Sequence, residues 1–233
     1  MINLSIVIPC FNEAKSLPKL VKDFSKKLKR RDVELILVNN GSNDSTEKIL
    51  LNLKKNYNFL KIIRLKKNNG YGNGILQGLK KAKGRYISWT HADLQTDPYD
   101  AITGFEKFKK ELSPKIFIKG NRLGRPFKDV VFTIGMSIFE TILLKNFFWD
   151  VNAQPNIFHK NFFNMLEKIP LDFSFDLFFY FNAKKKNLKI LRFPVKYPKR
   201  KFGVSHWNTD FKNKMKFIKR TIKYSFQLKK SYK

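Results

Sequence analysis

The chain is poor in cysteine and in acidic residues. Cys10 is the one cysteine in 233 residues, which rules out an internal disulfide and fits a reducing, cytosolic compartment. Asp and Glu together number 18 against 48 Lys and Arg, a formal net charge of +30. So one-sided a balance implies an anionic partner: a nucleotide, a nucleic acid or an acidic lipid surface. There is no internal repeat and no low-complexity linker. An uninterrupted membrane-length apolar run is also missing. The longest candidate, VVFTIGMSIFETILLKNFFW from Val130 to Trp149, contains Glu140 and Lys145, and either charge is costly at a bilayer centre, so no membrane span is expected. The opening MINLSIVIPCF has no basic leader region and no small-residue cleavage site, and it meets Pro9 too early for a secretory core. It reads as a first strand.

What is present is enough apolar sequence for one well-buried domain, 42% hydrophobic. Through the first half, short β-rich runs alternate with amphipathic patterns, as repeated βα units and a mostly parallel sheet require. Strands are expected at Leu4 to Ile8, Leu35 to Val38, Lys61 to Leu65 and Arg85 to Thr90. Helices are expected at Ser16 to Lys29, with Leu17, Leu20, Val21, Phe24 and Leu28 on one face, from about Asp44 to Asn56, and at Ile75 to Ala82. Asp44 is a candidate N-cap with Glu47 three residues on, and Gly84 a candidate helix stop. Further on, Ile116 to Arg122 and Leu188 to Val195 read as strands, and Val130 to Asn146 and Phe175 to Lys186 as helices. The first of these helices carries a polar stripe at Asp129, Thr133, Ser137, Glu140 and Lys145 beside a broad apolar face. YPKRKFGVSHWN reads as a basic loop. After Asp210, Phe211, Met215, Ile218 and Ile222 recur at helical spacing among lysines.

Ligands of open α/β sheets bind beyond the carboxyl ends of the strands. Three polar loops fall there: Pro9 to Glu13, Asn39 to Ser42, and SWTHADLQTDP, in which His91, Asp93 and Gln95 stand at alternate positions where a strand runs out.

In order and spacing, IVIPCFNE, LVNNGSNDST, NNGYGNGILQGLKKAKGRYISWTHADLQTDP and IKGNR resemble the family-2 glycosyltransferases, especially the branch of polyprenyl-phosphate sugar transferases. The likeness is close over about the first 125 residues and looser at DVNAQPNIFHK and RFPVKYPKRKFGVSHW. It implies an α/β GT-A fold (a Rossmann-like, mostly parallel sheet flanked by helices), a nucleotide-sugar donor, and a divalent cation between a carboxylate motif and the donor diphosphate. Carried over by position, Pro9, Phe11, Asn12 and Glu13 are similar to the loop that grips the nucleotide, with Val38 and Asn40 at the nucleoside. His91, Ala92, Asp93 and Gln95 lie on the metal and diphosphate motif, Arg122 on an arginine near the phosphates, and Arg200 on a basic residue of an acceptor-side loop.

The sequence departs from that pattern. The family commonly writes Val-Asp-Asp-Gly-Ser where this chain has Val38, Asn39, Asn40, Gly41 and Ser42, and Asp where it has His91. Asparagine keeps an acceptor for a ribose hydroxyl but loses the charge. A neutral imidazole ligates divalent ions with a preference for Mn²⁺ over Mg²⁺, so a metal here is expected to rest on Asp93, Gln95 and His91.

The expectation is an inverting transferase that stabilises its leaving diphosphate with the cation, Arg122 and a Lys or Arg from Lys199 to Lys201. A lipid-phosphate acceptor is already ionised; a hydroxyl acceptor needs a base, for which Asp176 in FSFDLFF is the candidate, its alternative being a plain helix-start charge. Bland readings stand beside the others: Glu13 as a helix-start acid, His91 as a hydrogen-bonded strand-end residue, and His206 and Trp207 as packed loop residues. From Lys199 to Lys233 there are twelve Lys or Arg against one acid, Asp210, which suits an anionic membrane surface as well as a solvated helix packed on the domain. The expected arrangement is a catalytic domain over 1–200 followed by a basic amphipathic tail over 201–233, at the inner face of the membrane, acting on a polyprenyl phosphate or a surface glycan. The rivals are transfer to a sugar hydroxyl with Asp176 as base, and a catalytically inactive basic protein that binds nucleotide or nucleic acid. Against a nucleic-acid partner, the aromatics form no recognisable stacking motif.

Overall fold

The computed structural model describes residues 1–198 and 211–231. The elements run β1 (Leu4–Cys10), α1 (Leu17–Lys27), β2 (Val33–Asn40), α2 (Thr46–Asn56), β3 (Leu60–Leu65), α3 (Tyr71–Lys81), β4 (Tyr86–Trp89), α4 (Asp100–Lys107), β5 (Ile116–Leu123), α5 (Phe127–Leu144), β6 (Asn156–His159), α6 (Lys160–Asn164), α7 (Phe175–Lys185), β7 (Lys189–Lys196) and α8 (Phe211–Ser231). The strands form one sheet in the order β3-β2-β1-β4-β6-β5-β7. Every pairing is parallel except those of β6, which runs antiparallel between β4 and β5.

Both faces of this sheet are covered, which is why β1 and β2 read as continuous apolar runs rather than alternating ones. Side chains still alternate across the pleat. Ile6, Ile8, Leu35 and Leu37 pack with Leu17, Leu20 and Phe24 of α1 and Phe105 of α4. Val7, Ile36 and Val38 face the other way, onto Ile75 and Leu79 of α3 and the aromatic layer of α7. Gly78 makes the approach of α3 possible, since a Cβ there would lie 2.2 Å from Val7 Cγ1.

Trp89 anchors the second layer, edge-on to Phe158 at 5.6 Å, Phe175 at 5.2 Å and Phe179 at 4.9 Å. Such rings prefer this geometry because their positive edges meet negative faces. Apolar area of that size dominates the stability of the domain.

Several local expectations need correction. Three elements were not legible in the sequence: α4, the four-residue β6 and the five-residue α6. Helix α3 begins at Tyr71 instead of Ile75, because the Asn73 N–H is bonded by the Leu171 carbonyl and the start of the helix is thereby held in place. Gly84 is no left-handed cap. It lies tight against β1, donating its N–H to Ser5 Oγ at 2.7 Å, and a Cβ would meet the Ser5 backbone N at 2.6 Å. Asp44 does hold the start of α2, its Oδ1 accepting the Thr46 N–H at 2.9 Å, while Glu47 turns to Arg64. No helix among the described residues is long and apolar enough to cross a membrane.

Candidate active site

The loops after β1, β2 and β4 meet at one sheet edge. Asn12, in the left-handed region at φ 58°, ties the first two together: its N–H donates to Ser42 Oγ at 3.1 Å and its Oδ1 accepts from the Asn43 N–H at 3.0 Å. The Glu13 N–H donates to Thr46 Oγ1 at 2.9 Å. The Glu13 carboxylate takes the Ser16 hydroxyl at 2.6 Å, so it braces the start of α1. Gly41, at φ 72°, has no room for a side chain, because a Cβ would sit 2.5 Å from the Asn68 N.

Asn40 is buried and donates from Nδ2 to Gly70 O at 3.0 Å and Asn68 Oδ1 at 3.3 Å, which leaves its Oδ1 buried without a partner. Pro9 and Asn40 both border Gly74 of α3. Val38 contributes only backbone here, its side chain being part of the core.

The β4 loop closes the edge. Asp93 is 5% exposed, and its Oδ1 accepts the Gln95 N–H at 3.0 Å across the strained Leu94, φ 59°. Ala92 is buried beside it. Gln95 is held by the chain leaving β7, its Nε2 donating to Pro198 O and its Oε1 accepting from Tyr197 Oη, each at 3.3 Å. His91 lies on the face of Tyr71, ring centroids 6.0 Å apart, and Tyr71 in turn stacks on Phe173 at 5.0 Å.

Asp176 lies beneath this surface. At 4% exposure, its Oδ1 accepts from Trp89 Nε1 at 3.2 Å and Asn156 Nδ2 at 3.1 Å. Lys119 Nζ, fully buried, donates to Asn156 Oδ1 at 2.7 Å and Ala153 O at 2.6 Å. Strand register explains the arrangement: Trp89 pairs with Asn156, Asn156 with Lys119, and Lys119 with Arg192, one row across four strands. Burial pushes the Asp176 carboxyl up from the ordinary carboxylate value, against the pull of Lys119 and His91. Burial likewise lowers Lys119 to about 7.

Arg122, at the end of β5, is clamped by Asp150 through Nε at 2.9 Å and through its terminal nitrogen, with its guanidinium 5.2 Å from the Tyr197 ring centroid. Its charge is thus partly neutralised before any ligand arrives.

Of the residues expected from sequence, the structure brings Pro9, Asn12, Glu13 and Asn40 together on one side and His91, Ala92, Asp93 and Gln95 on the other, with Tyr71 between. Phe11 sits half-buried in the first loop. Arg122 reaches this group through Tyr197, and Asp176 lies under it. Arg200, Lys199 to Lys201, His206 and Trp207 fall outside the described residues, as does the expected boundary at 200/201. Tyr71, Tyr197, Asp150, Asn156 and Lys119 were missed. Tyr71 carried a signal as the one aromatic inside the glycine-rich NNGYGNG, and the other four lie in segments that carry the family likeness without a role read for them. Among the described residues no group of three His, Cys, Asp or Glu is placed to hold a metal ion by itself.

A mostly parallel sheet of this order, with one antiparallel strand and its polar loops gathered at the carboxyl edge, defines a GT-A-type fold. The family profile described as glycosyl transferase family 2 matches residues 5–122, and the chain belongs to that family. Relatives include the poly-beta-1,6-N-acetyl-D-glucosamine synthase of Staphylococcus epidermidis, 31% identical over 113 residues, 48% of this chain and 26% of the relative. A dolichyl-phosphate beta-glucosyltransferase of Trichomonas vaginalis is 33% identical over 116 residues, 47% of this chain and 35% of the relative. The chain thus aligns with about a quarter to a third of the length of these curated relatives. Among solved structures, glucosyl-3-phosphoglycerate synthase from Mycobacterium tuberculosis, in complex with Mn²⁺, UDP and glucosyl-3-phosphoglycerate, superposes with a TM-score of 0.75 at 12% identity, over 97% of this chain and 79% of that one. A mannosyltransferase from Pyrobaculum calidifontis, with GDP-mannose and Mn²⁺, gives 0.63 at 16% identity, over 86% and 58%.

Proposed function

We propose that this chain transfers a sugar from a nucleotide-diphosphate donor to a polyprenyl phosphate or a growing surface glycan, with inversion, at the inner face of a membrane. The observation that supports this reading best is the convergence of the β1, β2 and β4 loops around the buried Asp93. In it, Pro9 to Glu13 and Asn40 grip the nucleoside, the unpartnered Asn40 Oδ1 standing ready for a ribose or base donor once the loop adjusts, and Asp93 faces the diphosphate. Arg122 and a cationic side chain from Lys199, Arg200 or Lys201 offset the charge that develops on the leaving group.

A divalent cation fits this donor set as an ion shared with the substrate. One carboxylate and one imidazole, Asp93 and His91, with Gln95 adjoining, leave the other positions to phosphate oxygens and water. Bound there, such an ion supplies Lewis-acid stabilisation of the diphosphate. That related structures carry Mn²⁺ with UDP or GDP-mannose supports the same assignment.

The occlusion of Asp176 favours an acceptor that is ionised already. With two donors on Oδ1 and Tyr71 above it, this carboxylate positions Trp89 and Asn156 more readily than it reaches a hydroxyl. A hydroxyl acceptor with Asp176 as base remains the second reading, favoured by the upward push on its proton affinity.

The test is release of nucleoside diphosphate from a panel of UDP- and GDP-sugars, with polyprenyl phosphate or oligosaccharide as acceptor. Release that depends on acceptor and falls roughly 10²-fold or more in Asp93→Asn is expected. No release from any donor, together with steeply salt-dependent binding to RNA or DNA, would leave only the inactive binding protein.

A further inference from the structure

Helix α5 buries part of its polar stripe and leaves part of its apolar face outside. Glu140 is 2% exposed and Ser137 is buried, whereas Phe127, Val131, Ile134, Ile138 and Ile142 stand in solvent, Phe127 at 81% and Ile142 at 73%. Steps of three and four residues place these five on one stripe, roughly 22 Å long at about 1.5 Å per residue. A contiguous apolar stripe left in water marks a docking surface.

Its border is basic. Helix α8 packs along α5, with the Phe226 ring 6.3 Å from that of Phe139 and itself partly exposed. Lys219, Lys223 and Lys230 are exposed and lie seven and three residues before Phe226 and four after it, hence on the same face of α8. A second copy of the chain fits this surface badly, since it would set lysine row against lysine row between two chains of net charge +30. An anionic bilayer matches both parts, headgroups for the lysines and the acyl boundary for the stripe.

We propose that the α5 stripe, with the bordering α8 lysines, is the surface by which the chain seats on an anionic lipid bilayer. This deepens the membrane placement proposed above by naming the surface, and it makes no use of the nucleotide site. The same helix also reaches the site: the Arg220 guanidinium lies 4.9 Å from the Phe173 ring centroid, and Phe173 stacks on Tyr71. Seating through α8 therefore brings a lipid-linked acceptor toward the stack of Phe173, Tyr71 and His91.

The experiment is co-sedimentation of the whole chain with phosphatidylcholine vesicles, with and without phosphatidylglycerol, alongside sedimentation velocity and thermal melting. The wild type is expected to bind the anionic vesicles. Ile138→Ser/Ile142→Ser is expected to bind them at least roughly tenfold more weakly, and Lys219→Gln/Lys223→Gln to lose a similar factor, both melting as the wild type does. Tryptophan emission of Ile138→Trp should gain a blue-shifted component on anionic vesicles that brominated phosphatidylglycerol quenches. Wild-type binding that the α5 variant leaves unchanged overturns the inference while membrane placement and transferase activity stand. Absence of wild-type binding removes the membrane placement with it and leaves sugar transfer untouched. A wild-type dimer that the α5 variant dissociates, with vesicle binding intact, assigns the stripe to a second copy and overturns the inference as well.

Discussion

Glu140→Gln tests the inward packing of the Glu140 side of α5 through pH. In the folded chain burial pushes the Glu140 carboxyl up from 4.5 to about 8, against a weaker downward pull from Lys119. One of its oxygens is buried without a partner. Between these two values the unfolded chain has lost the proton and the folded chain keeps it. A raised folded value therefore contributes stability that is complete below about 4.5 and is lost as pH climbs to about 8. At about 1.4 kcal/mol per pH unit the loss approaches 5 kcal/mol as an upper bound, and relaxation of the site lowers it to a few. Glutamine is neutral throughout, so the stability difference between variant and wild type should be constant below pH 4.5, grow in favour of the variant up to pH 8, and then level. Lys119, lowered to about 7, imposes an opposite slope between about 7 and 10.5, and because its charge acts on Glu140 the difference is read most cleanly between about pH 5 and 7, below its titration. Urea unfolding at closely spaced pH values reads this directly. A difference that stays flat from pH 5 to 9 would mean that Glu140 faces water, and the outward apolar stripe would fall with it.

Asp176→Asn, which keeps the shape of the side chain, should leave turnover on polyprenyl phosphate within a few-fold of wild type, whereas a loss of roughly 10² or more on an oligosaccharide acceptor with nucleotide affinity intact would assign Asp176 as a base for a hydroxyl acceptor. Excess chelator should abolish turnover and added Mn²⁺ restore it better than Mg²⁺, as titration of released nucleotide will show; full activity in chelator would leave the charge of the diphosphate to basic side chains alone. Gly78→Ala should lower stability by about 1–3 kcal/mol in denaturant melts, because its Cβ must displace Val7 or push α3 from the sheet. Tyr71→Leu removes the ring beneath His91 and the hydroxyl that accepts from Gln154 Nε2, and should lower the melting temperature as well as donor binding or turnover; unchanged kinetics would make the stack ornamental.

Local pattern carried much of this molecule. Continuous apolar strands, glycine turns and helix periodicity are set within ten or fifteen residues, so β1, β2, α1 and the order of the polar loops could be read directly, and with them the family likeness. The burial of Asp93 and the meeting of Asn12 with Ser42 agree with that reading because loops at the carboxyl ends of neighbouring parallel strands are neighbours in space. Tertiary structure alone decided the rest. Strand β6 is only four residues long and takes its direction from the gap between β4 and β5, and the Trp89–Asn156–Lys119–Arg192 row exists only once it is in place. The sequence of α5 shows a polar and an apolar face but not which of them looks inward. That choice follows from the Asp150 N–H that Ser137 Oγ accepts and from Leu143 and Leu144 joining the core beneath the helix, an energy balance between distant segments that no local pattern contains.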